Sequence, residues 1–174
     1  MKNPASSPTV SIADSALATI THEALRSLDG RETGGILLGT DTPEGIVILH
    51  AGDAGPNAHR GERTFLRDLD HARRVAESAW KEDRSQWIGE WHTHPPGGLA
   101  PSDLDLHSYL RHLQDPELGL DQFVAVIAGL DEKARIIIAT WIIELHHARP
   151  VPLVRHKDGS PDNGNPTPDL EEVP

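Results

Sequence analysis

The chain contains no cysteine. Neither a disulfide nor a thiolate ligand is open to it, so any metal site must be built from His and carboxylates. No apolar run approaches the roughly 18 residues of a membrane span. The N-terminal stretch MKNPASSP lacks the apolar core of a secretory signal. Basic residues are in the minority, with 16 Lys and Arg against 27 Asp and Glu and a net charge of −11. Phosphate recognition needs clustered Lys and Arg, so nucleic acid is not an expected partner. These absences predict a cytoplasmic protein that engages neither nucleic acid nor membrane.

What is present suits a globular protein. A length of 174 residues predicts one domain with a sizeable core. Residues 1–8 read as a flexible lead-in and 9–148 as the folded domain. The Pro-rich acidic stretch 149–174 reads as a flexible tail, because its composition cannot build a packed core. Within the domain, 9–12 predicts a short strand. Leu17, Ile20, Ala24 and Leu28 share one face of a helix over about 14–28, with His22 and Glu23 facing solvent. Two apolar runs, 34–39 and 45–50, flank a turn-forming stretch and predict a hairpin. A loop over 51–62 precedes a helix predicted from Phe65 to Trp80, with Arg67, Arg73 and Arg74 off its apolar stripe, on a solvated face in preference to a substrate-contacting one. Residues 86–90 rise as a strand into a histidine motif, a helix follows over about 103–113, and 122–128 with 134–143 predict a second hairpin. The order predicts an α/β fold, a curved, mixed or mostly antiparallel sheet flanked by helices.

The stretch that carries chemistry is Glu90-Trp91-His92-Thr93-His94-Pro95, followed by Ser102-Asp103-Leu104-Asp105. Strand side chains alternate faces, so His92 and His94 point the same way and Trp87 and Trp91 the other. Two imidazoles about 6.6 Å apart at their Cα atoms can converge on one ion. Asp105, where a helix begins, offers a carboxylate as third ligand. Two His and one carboxylate leave a fourth tetrahedral position open, as in catalytic rather than structural zinc sites. Plainer readings exist for each part. Ser102-x-x-Asp105 ahead of an apolar run is also a near-capping box, and His-x-His can be two half-exposed strand residues.

His92-x-His94, seven residues, then Ser102-x-x-Asp105 resembles the JAMM (MPN-plus, JAB) metallopeptidase motif in its short prokaryotic form. Glu32-Thr33-Gly34-Gly35-Ile36-Leu37-Leu38-Gly39 is similar to that family's upstream glutamate segment. The resemblance implies a cytidine-deaminase-like JAMM fold and one Zn2+ per chain on His92, His94 and Asp105. It also implies Glu32 as general base and Ser102 as oxyanion donor; apart from it, Glu32 reads as an exposed charge at a strand edge. The implied reaction is hydrolysis of the amide after the C-terminus of a ubiquitin-like modifier, in a bacterial conjugation or antiphage pathway. E1-like and E2-like enzymes would then be further partners. Two other roles stay open: release of an amino acid from a sulfur-carrier protein, and a non-catalytic MPN scaffold. The 51–64 and 95–101 loops are the expected walls of the substrate groove.

Overall fold

The computed structural model describes residues 9–43, 45–95 and 97–156. In chain order its elements are β1 (Val10–Ala13), α1 (Asp14–Ala24), a 3-10 turn (Leu25–Asp29), β2 (Gly34–Thr42) and β3 (Gly45–Ala51). There follow β4 (His59–Arg60), β5 (Phe65–Leu66), α2 (Leu69–Asp83), β6 (Gln86–Thr93), α3 (Asp103–Gln114), β7 (Phe123–Leu130), β8 (Ile136–Glu144), β9 (His147–Val151) and β10 (Leu153–His156). Eight strands form one mixed sheet in the order β10-β1-β3-β2-β6-β7-β8-β9, and β4 with β5 makes a separate small ribbon. The α/β class and the two hairpins are as the sequence predicts. Among the described residues no helix is long and apolar enough to cross a membrane.

Each face of the sheet has its own helices. Val10, Ile12, Ile46, Ile48, Trp91, Val124, Val126 and Ile142 pack beneath Ala16, Ile20 and Ala24 of α1. On the other face, Ala72, Val75, Ala76 and Ala79 of α2 cover Ile36 and Leu38. Tyr109 and Leu113 of α3 cover Phe123, Ala125 and Ile143. Burial of an aliphatic side chain of this kind stabilises by about 1.5–3 kcal/mol, so both faces hold the sheet.

Several expectations need correction. Helix α2 starts at Leu69, because the Asp68 carboxylate caps it by accepting from the His71 amide at 3.1 Å. Phe65 lies ahead of the helix and pairs with Arg60 in the small ribbon. The sheet continues past residue 148: β9 pairs with β8, and β10 runs parallel to β1. Pro150 is tolerated because β9 is an edge strand, where a missing N–H removes no ladder bond. The remainder of the predicted tail, 157–174, and the lead-in 1–8 lie outside the described residues.

Trp87 does not share the face of Trp91. The β2–β6 register shifts between Leu37, opposite Gly89, and Leu38, opposite Trp87. This irregularity adds a residue to β6 and reverses the alternation behind it. Trp91 therefore enters the α1 core and donates its indole N–H to the Gly52 carbonyl at 2.8 Å. Trp87 instead packs edge-on against Phe123, with ring centroids 5.6 Å apart, on the α2/α3 face.

Candidate metal centre

The histidines sit at the C-terminal end of β6, and α3 begins just beyond the following loop. Strand β6 runs parallel to β7 with α3 as the crossover, so the site occupies the carboxyl end of strands, the usual ligand position in α/β sheets. Ser102 is the N-cap of α3, and the capping box that the sequence suggests is present. The Asp105 amide donates to Ser102 Oγ at 3.2 Å. The Ser102 amide and hydroxyl both donate to Asp105 Oδ2 at 2.7 Å. This box fixes the carboxylate with Oδ1 3.4 Å from His92 Nε2 and Oδ2 3.3 Å from His94 Nε2. The two Nε2 atoms are 2.9 Å apart.

His94 Nδ1 lies 3.0 Å from the Gly98 carbonyl. A carbonyl can only accept, so Nδ1 carries a proton and Nε2 is the ring atom that faces His92 and Asp105. Ligand atoms around a tetrahedral zinc, with bonds of about 2.0–2.1 Å, stand roughly 3.3 Å from one another. The imidazole–imidazole separation and the distance from each imidazole to one Asp105 oxygen lie within a few tenths of an ångström of that spacing. Among the described residues, His92, His94 and Asp105 form a group whose donor atoms all lie within 4.8 Å of one another, and they could hold a metal ion. Burial pushes the Asp105 carboxyl up, but hydrogen bonds from His92, His94 and Ser102 outweigh it and leave the group well below the usual carboxylate range. The Asp105 hydrogen bond draws the His94 imidazole up against the opposing effect of burial.

Glu32 precedes β2, whose Gly34 lies opposite His92. The close approach requires glycine there: a Cβ on Gly34 would stand 2.3 Å from the Trp91 carbonyl oxygen and 2.8 Å from His92 Cβ. Next to Glu32, the Thr33 amide donates to Thr93 Oγ1 at 2.9 Å, and the Thr93 amide donates to the Thr33 carbonyl at 2.8 Å. Thr33 Oγ1 in turn donates to Glu23 Oε1 at 2.6 Å, and Arg26 pairs with the same carboxylate at 3.0 Å. Glu23, expected in solvent, is thus only 5% exposed. It was illegible because its partners come from the β2 segment and the next helical turn rather than from the apolar stripe of α1.

Glu32, His92, Ser102 and Asp105 line one cleft of about 570 Å3. Its other walls are residues 63–67, Leu69, Glu90, Trp91, Leu104 and Ser108. No described residue of 95–101 lines it; Leu99 instead accepts from the Trp141 indole at 2.8 Å. Burial raises the Glu32 carboxyl above its ordinary value, partly offset by the imidazoles of His92 and His94. Arg67, for which the sequence favours a solvated helix face over contact with a substrate, is a wall residue of the cleft. It forms an ion pair with the buried Glu90 on the His92 side of β6, and burial lowers the guanidinium.

A mixed α/β sheet with a two-His, one-carboxylate cluster at a strand end defines a class of candidate metal-binding proteins. The chain belongs to the prokaryotic homologs of the JAB domain, whose family model matches residues 14–143. It is 29% identical over 125 residues to a protein of Enterobacter hormaechei subsp. hoffmannii named CD-NTase/cGAS isopeptidase, covering 71% of this chain and 68% of that one. A Vibrio cholerae serotype O1 protein of the same name is 31% identical over 88 residues, covering 49% of this chain and 56% of its own length. Among solved structures, a Desulfitobacterium hafniense protein determined in solution superposes with a TM-score of 0.64 at 15% identity, covering 86% of this chain and 94% of that one. That likeness shows a shared fold.

Proposed function

We propose that the chain is a zinc isopeptidase that hydrolyses the amide joining the C-terminus of a modifier protein to its target, a cGAS-like CD-NTase being one of the joined proteins. The observation that carries this reading is the convergence of His92, His94 and Asp105 at one edge of a cleft that His92 and Asp105 line together with Glu32 and Ser102. The relatives' name supports the conjugate as substrate. A ubiquitin-like modifier, with E1-like and E2-like enzymes to attach it, fits the same reaction.

In this reading His92 Nε2, His94 Nε2 and a carboxylate oxygen of Asp105 hold the ion, which supplies Lewis acidity at neutral pH. Glu32 accepts the proton of the attacking water on its carboxylate and delivers it to the departing amine nitrogen. A carboxyl raised by burial suits both halves of that transfer. Ser102 Oγ now donates to Asp105 Oδ2. Turning that hydroxyl toward the carbonyl oxygen of the scissile amide leaves Asp105 still held by the Ser102 amide. The exposed side chains of Leu66, Leu69 and Leu104 give the cleft apolar walls for an extended substrate segment.

The test uses a CD-NTase and a ubiquitin-like protein, each extended at its C-terminus by a reporter protein. Each is incubated with zinc-loaded chain and the products are weighed. Cleavage at the junction, abolished by a chelator and restored by zinc, is expected. Intact fusions beside stoichiometric zinc would leave a binding scaffold. Equal cleavage of unrelated unfolded peptides would remove the isopeptidase assignment.

A further inference from the structure

The backbone around Glu32 is held from two sides. On one side Thr33 is tied to Thr93 of the histidine strand. On the other, the Glu32 amide donates to the Gly61 carbonyl at 2.7 Å. Arg60 Nε donates to the Glu32 carbonyl at 3.1 Å, and Arg60 Nη2 to the Arg31 carbonyl at 3.1 Å. The same guanidinium meets both Asp29 oxygens, at 2.9 and 3.2 Å. Asp29 is itself fixed by the Arg31 amide at 3.0 Å. One planar fork therefore joins Asp29, Arg31 and Glu32, a geometry that lysine cannot reproduce. The Arg60 side chain is only 13% exposed.

The β4–β5 ribbon that carries Arg60 also supplies wall residues of the cleft, through Arg63, Thr64, Phe65 and Leu66. Its turn is closed by the Gly61 amide donating to the Thr64 carbonyl at 2.8 Å. The turn and β5 of this short ribbon thus border the cleft, while Arg60, paired with Phe65, and the adjacent Gly61 hold the main chain of the carboxylate residue.

We infer that Arg60 is a positioning residue: through the Glu32 carbonyl it sets where the Glu32 carboxylate stands relative to the His92–His94–Asp105 cluster. The inference rests on Glu32 as the proton carrier of the proposed reaction. Arg60 touches no reacting atom, so its effect runs wholly through Glu32. A displacement of about 1 Å at a reacting group is worth as much as 100-fold in rate.

The experiment compares wild type, Arg60→Ala, Arg60→Lys, Glu32→Gln and the Arg60→Ala/Glu32→Gln double variant. Kinetics use the CD-NTase and ubiquitin-like reporter fusions, and amide hydrogen exchange is followed residue by residue. Arg60→Ala is expected to lower kcat about 10- to 100-fold with KM nearly unchanged, and Arg60→Lys to recover little of it. Adding it to Glu32→Gln should cost nothing more, because the two act as one unit. Exchange at the Glu32 amide should quicken by about tenfold or more while the Thr33 amide, held by Thr93, keeps its rate. Wild-type kcat in Arg60→Ala, full additivity with Glu32→Gln, or an unchanged Glu32 amide would each overturn the inference. General loss of fold is distinguishable, since it quickens both amides. If no fusion is cleaved by wild type, the proposed function falls, and exchange at Glu32 alone decides whether Arg60 holds that segment.

Discussion

The two faces of the sheet are built from the same strands to opposite ends. Beneath α1 the face is closed: Ile12, Ile20, Leu37, Ile48, Val126 and Ile142 are fully or almost fully buried. Its polar groups, Glu23, Ser27, Thr33 and Thr93, are buried and bonded to one another or to Arg26, with Ser27 Oγ 2.6 Å from Thr93 Oγ1. On the other face α2 and α3 cover separate clusters, and the cleft runs past the first turn of α3. There the polar groups face space that a substrate can enter. Strand β6 serves both faces through alternation, Trp91 and Thr93 locking one side while Glu90 and His92 line the other. The lesson is that polarity marks this site poorly, since both faces bury charge. What separates them is access, since Glu90, His92 and Asp105 border the large cleft and Glu23, Ser27, Thr33 and Thr93 do not.

That contrast yields its largest expected effect at the cluster itself. His94→Ala removes one proposed ligand, so zinc measured by elemental analysis should fall to background and turnover with it, while the fold is retained. Stoichiometric zinc in the variant would dissolve the ligand assignment. Glu32→Gln should keep the metal yet lower kcat by about 10²–10⁴-fold, the usual worth of a proton carrier. Ser102→Ala should be milder, about 10²–10³-fold from a lost donor, with about 1 kcal/mol of helix stability lost with the cap. A larger loss in Ser102→Ala than in Glu32→Gln would reverse the roles proposed for them.

On the closed face the expectation is opposite in kind. Ile20→Val removes one methylene from a fully buried contact and should cost about 0.5–1.5 kcal/mol of stability. Denaturant titration measures that loss. Turnover per folded molecule should not change, and a fall in kcat would show that the two faces are coupled.

Local patterns made much of this legible. His92-x-His94 was readable because alternation within one strand places both rings together, and Ser102-x-x-Asp105 because a capping box is written within one helical turn. The hairpins follow from apolar runs around turn residues. What failed depended on distant partners or one-residue irregularities. Glu23 is buried because Thr33 and Arg26 receive it. Trp87 changed face at a register shift that no composition reveals. Arg67 faces the cleft because the Asp68 cap starts the helix later than the apolar stripe suggests. The strands after residue 146 were hidden by prolines, which edge positions accept and sheet interiors do not.

The smallest expected effect tests whether Glu32 is held against its own solvation. Its folded pKa is raised, with burial the leading cause and the imidazoles of His92 and His94 opposing it. For a carboxyl raised on folding, ionisation costs stability. The cost is absent below the unfolded value of about 4.3, grows as pH rises through the folded value, and is complete above it. Glu32→Gln removes the cost, so the metal-free variant should melt higher than metal-free wild type at about pH 8, well above the unfolded carboxyl value. The difference should vanish at about pH 4, where the wild-type carboxyl is itself mostly protonated. Metal-free protein is needed because a bound cation would favour the carboxylate and mask the sign. The expected rise is no more than a few degrees, read from melting curves of the two proteins at both pH values. A variant that melts lower at the higher pH would mean that the Glu32 carboxylate is satisfied in the folded chain. The open face would then resemble the closed one, its charge already partnered, and a proton carrier would have to be sought elsewhere in the cleft.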